Sequence, residues 1–300
     1  LIGQAAFAQK TLDKLINNGE EVLAVFCFPD APGGRIDPVK QRALELGIPV
    51  HQHKTLKTPE VTEQFVSLKA DLAILAFVSQ IIPPPVFNAP RLGSICYHPS
   101  LLPKYRGRSA INWTLIRGET VTGLTIFWLD KGIDTGAVLL QKEVRVDPND
   151  TAGTLYFDKL FPMGIEAIGE AVDLIKAGNA PRIVQDESQA SYDPPCGDEH
   201  AKIDWTKPAH DIHNLIRGCD PQPGAHTTWQ GKTVRVFDAR LQPGNISATP
   251  GEVSAIGAEE ITVGLNGGML TVKRMRGDGA KISAAEFAKQ VDLKVRDRLG

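Results

Sequence analysis

At 300 residues, with 42% hydrophobic and 23% charged side chains, the chain has the composition of a globular protein that can bury a sizeable core, and its length suffices for two domains. A net charge of −2 argues against a broad electrostatic grip on nucleic acid or on an anionic membrane. The four cysteines (Cys27, Cys96, Cys196, Cys219) show no CxxC pair and no metal-ligand spacing, and with no signal peptide in view they read as reduced thiols of a cytoplasmic protein.

The opening LIGQ reads as the end of a strand whose start, with its Met, is missing. AAFAQKTLDKLINNGE follows with helical spacing and Asn18-Gly19 as its stop. EEVLAVFCF reads as a strand, PDAPGG as a loop, and residues 38–47 as a helix opened by Pro38 and closed by Gly47. IPVHQH is a short strand, TPEVTEQFVSLKA a helix, and DLAILAFV an apolar run suited to a strand covered on both faces. GSICYHP is a further strand, with a proline-rich exit and then a helix at SAINWTLIRGE. VTGLTIFWL and AVLLQKEVRV read as strands flanking the turn DKGIDTG, and TAGTLYFDKLFPMGIEAIGEAVDLIKAG as one long helical stretch with Thr151 as a cap candidate. Strands alternating with helices of about 10–15 residues predict an α/β fold with a Rossmann-like, mostly parallel sheet.

Residues 180–200 have little periodicity and several prolines, so the connection between domains is placed there, dividing the chain into residues 1–195 and 196–300. Beyond it a helix at PAHDIHNLIRG leads into short strands with glycine turns, and ISAAEFAKQV closes the pattern with a helix. That succession predicts a small C-terminal β-barrel, OB-like in kind. Residues 201–300 carry 14 Lys and Arg against 11 Asp and Glu, a mild excess whose plain reading is a solvated surface. No apolar run approaches the roughly 20 residues needed to span a bilayer.

Ligands of open α/β sheets bind beyond the carboxyl ends of the strands, and His98 stands at such an end. An imidazole near neutral pKa is the usual group for moving protons at a reacting centre. The best candidate to orient it is Asp134, in the glycine-flanked turn DKGIDTG. On the residues alone, a histidine after a strand is more often structural, and an aspartate before Thr-Gly more often a turn former. Other chemistries have less support. There is no GxGxxG after the first strand and no GxxxxGK[ST], hence no dinucleotide or P-loop signal. His51 with His53, and His210 with His213, lack a matching acidic or thiol cluster, so no metal is expected. Cys96 with His98 is a weak nucleophile pair, because a buried strand cysteine is most often a small hydrophobe.

YHPSLLPKYRG with its following SAINW, and DKGIDTG some thirty residues on, resemble the 10-formyltetrahydrofolate-dependent formyltransferase family. FVSQIIP, TIFWLDKGIDTG, LLQKE, LFPMGI, APR, AKIDW and IHNLIRG extend the similarity along nearly the whole chain, most strongly to the hydrolase domain of 10-formyltetrahydrofolate dehydrogenase. The resemblance implies the formyltransferase fold, with His98 as the catalytic histidine and Asp134 as the essential aspartate. Gln80, Ile81 and Ile82 match the backbone stretch that receives the pterin ring, with Asp134 beside the bound folate. Cys96, Leu101, Pro103, Arg106 and Gly107 match the active-site wall. The formyl donor would be 10-formyltetrahydrofolate, with no metal, and no NADP site within this chain.

The transferases usually carry Asn-x-His, whose amide helps to stabilise the oxyanion, and here that position is Cys96, a weak donor. The hydrolase domain shares this departure, which favours water as the acceptor, with products tetrahydrofolate and formate. Transfer to an amine, on methionyl-tRNA or a sugar nucleotide, is the alternative. A third reading makes the β-domain a binding module for RNA, or for a partner domain, beside a folate-sensing pocket. The related dehydrogenases continue into carrier and aldehyde dehydrogenase domains, the partners implied if the native chain is longer.

Overall fold

The computed structural model describes residues 1–78, 80–244 and 248–300. Their contacts divide into two compact units, each discontinuous in sequence. One comprises Leu1–Arg108, Gly123–Val144 and Asp158–Tyr192, and the other Ser109–Thr122, Arg145–Phe157 and Asp193–Gly300.

A seven-stranded sheet carries the first unit: β1 (Ile2–Gly3), β2 (Val25–Cys27), β3 (Val50–Gln52), β4 (Ala73–Ala76), β5 (Ser94–His98), β6 (Val121–Trp128) and β7 (Val138–Arg145). Four helices link the first five strands: α1 (Ala5–Asn17), α2 (Pro38–Glu45), α3 (Pro59–Ser67) and α4 (Pro84–Phe87). The short α4, with prolines at its cap and first turn, was not expected from the sequence. Spatial order is β3-β2-β1-β4-β5-β6-β7, parallel from β3 to β5 and antiparallel where His98 on β5 faces Thr125 on β6.

Alternation along the strands feeds two cores. Val25, Ile74, Ile95 and Tyr97 pack with Phe7, Leu12 and Leu15 of α1 on one face, and Phe26, Ala73 and Leu75 pack with Val61 and Phe65 of α3 on the other. Strand order reverses between β1 and β4, which is where such sheets offer a crevice for a ligand.

In chain order α5 (Ala110–Ile116) precedes β6, while α6 (Ala152–Thr154) follows β7. Thr151 caps α6 as expected, its side chain accepting from the Thr154 N–H and the Thr154 hydroxyl accepting from the Thr151 N–H. The stretch read as one helix is interrupted by a π-helical segment, Leu155–Leu160, before α7 (Phe161–Lys176). Pro162 explains the break in register, since it cannot donate into the preceding turn.

Beyond α8 (Ala209–Gly218), the second unit builds an antiparallel sheet from β8 (Ala225–Trp229), β9 (Lys232–Pro243), β10 (Val253–Ile256), β11 (Ile261–Leu265), β12 (Gly268–Arg276) and β13 (Ile282–Ser283), followed by α9 (Ala284–Gln290). Both outer strands are covered. Ile203 N–H donates to the His226 carbonyl and His226 N–H to the Ala201 carbonyl, both at 2.8 Å. The last residues bond to β10 through Arg296 N–H to Val253 (2.8 Å) and to β8 through Gly300 N–H to Thr228 (3.0 Å), so they join the two edges.

Candidate active site

β5 brings His98 to the carboxyl end of the parallel strands, one strand from the switch point. Ile95 and Tyr97 enter the core beneath α1, which leaves Cys96 and His98 on the other side of the strand. His98 is 5% exposed, and its Nε2–H donates to the Tyr105 carbonyl at 2.8 Å. Because a carbonyl only accepts, Nε2 must carry a proton. Nδ1 is then the nitrogen turned to Asp134, whose Oδ2 lies 3.6 Å away.

Asp134 sits in the turn between β6 and β7 with a left-handed backbone, φ 55°. Such a conformation costs a non-glycine residue on the order of 1 kcal/mol and persists where its surroundings over-determine it. Here Gly107 N–H donates to Asp134 Oδ2 at 2.8 Å, and Asp130 Oδ1 accepts from Gly132 N–H and from the Thr135 hydroxyl, at 3.0 and 2.6 Å. Gln185 Nε2 donates to the carbonyls of Asp134 and Gly136 at 2.9 and 2.7 Å. Gly107 reaches its position at φ 99°, which glycine adopts without strain.

Loop 99–107 is built as a fixed wall. Thr125 Oγ1 donates to the Ser100 carbonyl at 2.7 Å and accepts from Leu102 N–H at 3.1 Å, while Gln141 Nε2 donates to the Leu102 carbonyl at 2.8 Å. Tyr105 N–H donates to Ser191 Oγ at 2.8 Å, and Ser191 N–H to the Pro103 carbonyl at 3.2 Å. Leu101 packs against Gly123. Arg106 is 1% exposed, and its guanidinium is taken up by Gln185 and Glu187. Within the wall, therefore, Gly107 meets Asp134 directly, whereas Arg106 supports the segment behind it.

The Cys96 thiol donates weakly to the Tyr97 carbonyl at 3.5 Å. Burial first, and the Asp134 carboxylate second, push its pKa well above the usual thiol range. A thiol that keeps its proton is a poor nucleophile, which weighs against the Cys96–His98 pair as a reacting couple.

Gln80, Ile81 and Ile82 lie elsewhere at the same end of the sheet, beyond β4. The Gln80 side chain is tied to the 54–56 loop, accepting from Leu56 N–H at 3.2 Å and donating to the Lys54 carbonyl at 2.8 Å. Ile82 is buried, Ile81 is exposed, and Ser79 of the FVSQIIP motif lies outside the described residues. An open cleft of about 290 Å³, solvent space included, runs from Gln80 past Phe77 and Leu56 to His53, Phe28 and Gly3. At the start of α1, where a dinucleotide fold would hold pyrophosphate, Ala5 N–H donates to Asp37, whose carboxylate also caps α2 through Val39 N–H at 2.9 Å. Among the described residues no group of three or more His, Cys, Asp or Glu could hold a metal, and no helix is long and apolar enough to cross a membrane.

Gln185, Ser191, Thr125 and Gln141 escaped the sequence reading. The first two stand in an aperiodic stretch, and the others lie in TIFWLDKGIDTG and LLQKE, stretches matched to the family without a role for either side chain.

The family model for formyl transferase matches residues 1–165, and that for the formyl transferase C-terminal domain matches residues 197–292. The chain belongs to the formyl transferase family. It is 42% identical over 309 aligned residues to the cytosolic 10-formyltetrahydrofolate dehydrogenase of Xenopus laevis, an alignment covering 97% of this chain and 34% of that one. It thus spans about a third of the dehydrogenases it matches. Similarity to the methionyl-tRNA formyltransferase of Geobacter metallireducens is 39% identity over 100% of this chain and 97% of that protein. The crystal structure of HypX from Aquifex aeolicus in complex with tetrahydrofolic acid shares the fold, with TM-score 0.72 and 20% identity over 98% of this chain and 47% of the other.

Proposed function

We propose that this formyl transferase family member binds 10-formyltetrahydrofolate and hydrolyses it to tetrahydrofolate and formate in the cytoplasm. The observation that carries the reading is the approach of buried His98 Nδ1 to 3.6 Å from partly buried Asp134 Oδ2, with Cys96 at the position where the resemblance places the asparagine of the transferases. Similarity to the dehydrogenases over 97% of the chain supports it, as does a structural neighbour bound to tetrahydrofolic acid.

The pterin lies against the backbone at Gln80–Ile82, whose N–H and C=O groups match its donors and acceptors, and the formyl group reaches the His98–Asp134 pair. Asp134, one oxygen of which accepts from Gly107, has further lone pairs with which to orient water and take its proton. Water oxygen attacks the formyl carbon while protonated His98 donates from Nδ1 to the formyl oxygen, stabilising the tetrahedral intermediate. Collapse breaks the carbon–nitrogen bond: the proton that Asp134 took from water passes to the departing nitrogen, the proton on the former formyl oxygen returns to His98 Nδ1 as that C=O re-forms, and the formic acid left behind ionises to formate.

Substituting His98 by Asn or Asp134 by Asn is expected to lower turnover by about 10²-fold or more, the usual share of a general acid or base, with folate affinity within a few-fold. Either variant keeping more than about a tenth of the wild-type rate contradicts the assignment. A second reading, transfer to the amine of methionyl-tRNA, is favoured by the 39% identity that runs the full length of a methionyl-tRNA formyltransferase.

A further inference from the structure

Arg106 is the most deeply buried cation of the first unit's wall loop, and a single charge at 1% exposure needs full pairing. It finds it in the segment after α7. Its Nε and Nη2 donate to Gln185 Oε1 at 3.2 and 2.7 Å, its Nη1 and Nη2 to the Glu187 carboxylate at 2.9 and 2.7 Å, and its Nη1 to the Tyr192 hydroxyl at 3.4 Å. A guanidinium has only donors, so the Gln185 amide has one permitted orientation, oxygen toward Arg106 and nitrogen away from it. The nitrogen's two hydrogens go to the carbonyls of Asp134 and Gly136, at 2.9 and 2.7 Å. Those carbonyls bracket Thr135 and end the turn that holds Asp134 in its left-handed conformation.

We propose that Gln185, held in one orientation by Arg106, is a positioning residue for Asp134, fixing the turn so that the carboxylate faces His98. The inference rests on the reading of His98 and Asp134 as the reacting pair. Gln185 touches no reacting atom and acts through the Asp134 backbone. The arrangement is polar throughout and fully satisfied, as a buried network must be to specify one geometry. An angular or translational error of about 1 Å at a reacting group costs on the order of 10²-fold in rate, so small slack in this turn is expected to be expensive in kcat.

Gln185→Glu tests it, since it keeps the side chain's size and its bond to Arg106 but sets an oxygen against two carbonyl oxygens. Gln185→Met removes both donors without adding charge, and carries the test if the first variant is destabilised. Expected for Gln185→Met is a kcat lowered about 10- to 100-fold, with KM for 10-formyltetrahydrofolate and Kd for tetrahydrofolate close to wild type; Tm falls as well, because Arg106 Nε and Nη2 lose the oxygen that accepts from them, so kcat is measured well below it. In an Asp134→Asn background, Gln185→Met should leave the residual single-turnover rate unchanged, because the group it positions is gone. A crystal structure of Gln185→Met should show Asp134 Oδ2 displaced from its 3.6 Å separation from His98 Nδ1.

An unshifted turn, a kcat within about threefold of wild type, or a loss in the double variant that simply multiplies would overturn the proposal. So would a kcat loss matched by an equal loss of folate affinity at a temperature where the variant is fully folded, the mark of a merely structural glutamine. Wild-type protein without turnover would instead count against the hydrolytic reading, and the crystallographic measurement would still decide the positioning.

Discussion

Gly136→Ala is the smallest perturbation that the turn before β7 should not absorb. A Cβ built there falls 1.7 Å from the Trp128 carbonyl oxygen and 2.9 Å from its carbon, whereas real Cβ contacts essentially never fall below 3.0 Å. Both atoms in the closest contact are held by backbone, so the two strand ends must part by about 1.3 Å, the difference between those distances. That movement strains the Trp128 N–H to Ala137 carbonyl bond, now 2.9 Å, and shifts the Gly136 carbonyl that Gln185 holds at 2.7 Å. Overpacking of this kind costs about 1–3 kcal/mol. With Asp134 two residues away, a displacement on the order of 1 Å should lower kcat about 10²-fold. Steady-state release of tetrahydrofolate, with Tm and tetrahydrofolate affinity measured on the same preparation, separates the two effects. A Gly136→Ala protein with kcat within about threefold of wild type would refute the claim that this turn is held to sub-ångström tolerance.

Cys96→Asn restores a strong donor beside His98 and should raise formyl transfer to a suitable amine by about tenfold or more, checked with methionyl-tRNA and UDP-amino-sugar acceptors. Limited alkylation near pH 8, read by mass spectrometry, should mark Cys196 first. Its thiol is half-buried and its pKa is lowered by a hydrogen bond with Cys219, while burial raises Cys27 to about 11 and Cys96 well above the usual thiol range, and the same bond and burial raise Cys219. His213 is lowered to about 4 by burial, with Arg217 and Arg240 adding repulsion and the Ala239 carbonyl, 3.4 Å away, opposing. Between pH about 6.5 and about 4 the unfolded chain therefore binds the proton that the folded chain refuses, so stability falls with pH by up to about 3 kcal/mol. In His213→Gln, urea midpoints at pH 7 and pH 5 should differ less than in wild type.

The alternation of Val25–Cys27, Ala73–Ala76 and Ser94–His98 with helices was enough to read the parallel sheet, because buried parallel strands are apolar on both faces. Its order, with a switch between β1 and β4, depends on long-range pairing that no local pattern carries. Pro162 was visible in the sequence, but its effect on the helix, a π-helical segment at Leu155–Leu160, depends on packing around it. His98 and Asp134 stood out through their motifs, and their approach to 3.6 Å across 36 positions is a property of the β5–β6 register. Arg106 was read as wall, and its contacts place it with Gln185 and Glu187, in a stretch whose lack of periodicity concealed its role. Polar networks of this sort leave no repeat in the chain, since each partner is chosen by where the backbone happens to pass.

The most direct test of the proposed hydrolysis is tetrahydrofolate production from 10-formyltetrahydrofolate, measured with and without a panel of amine acceptors that includes methionyl-tRNA and a UDP-amino sugar. The account predicts release with no acceptor present, at a rate the panel leaves unchanged, and formate equal to tetrahydrofolate. Release that occurs only when one acceptor is added, with the formyl group recovered on its amine, would contradict it.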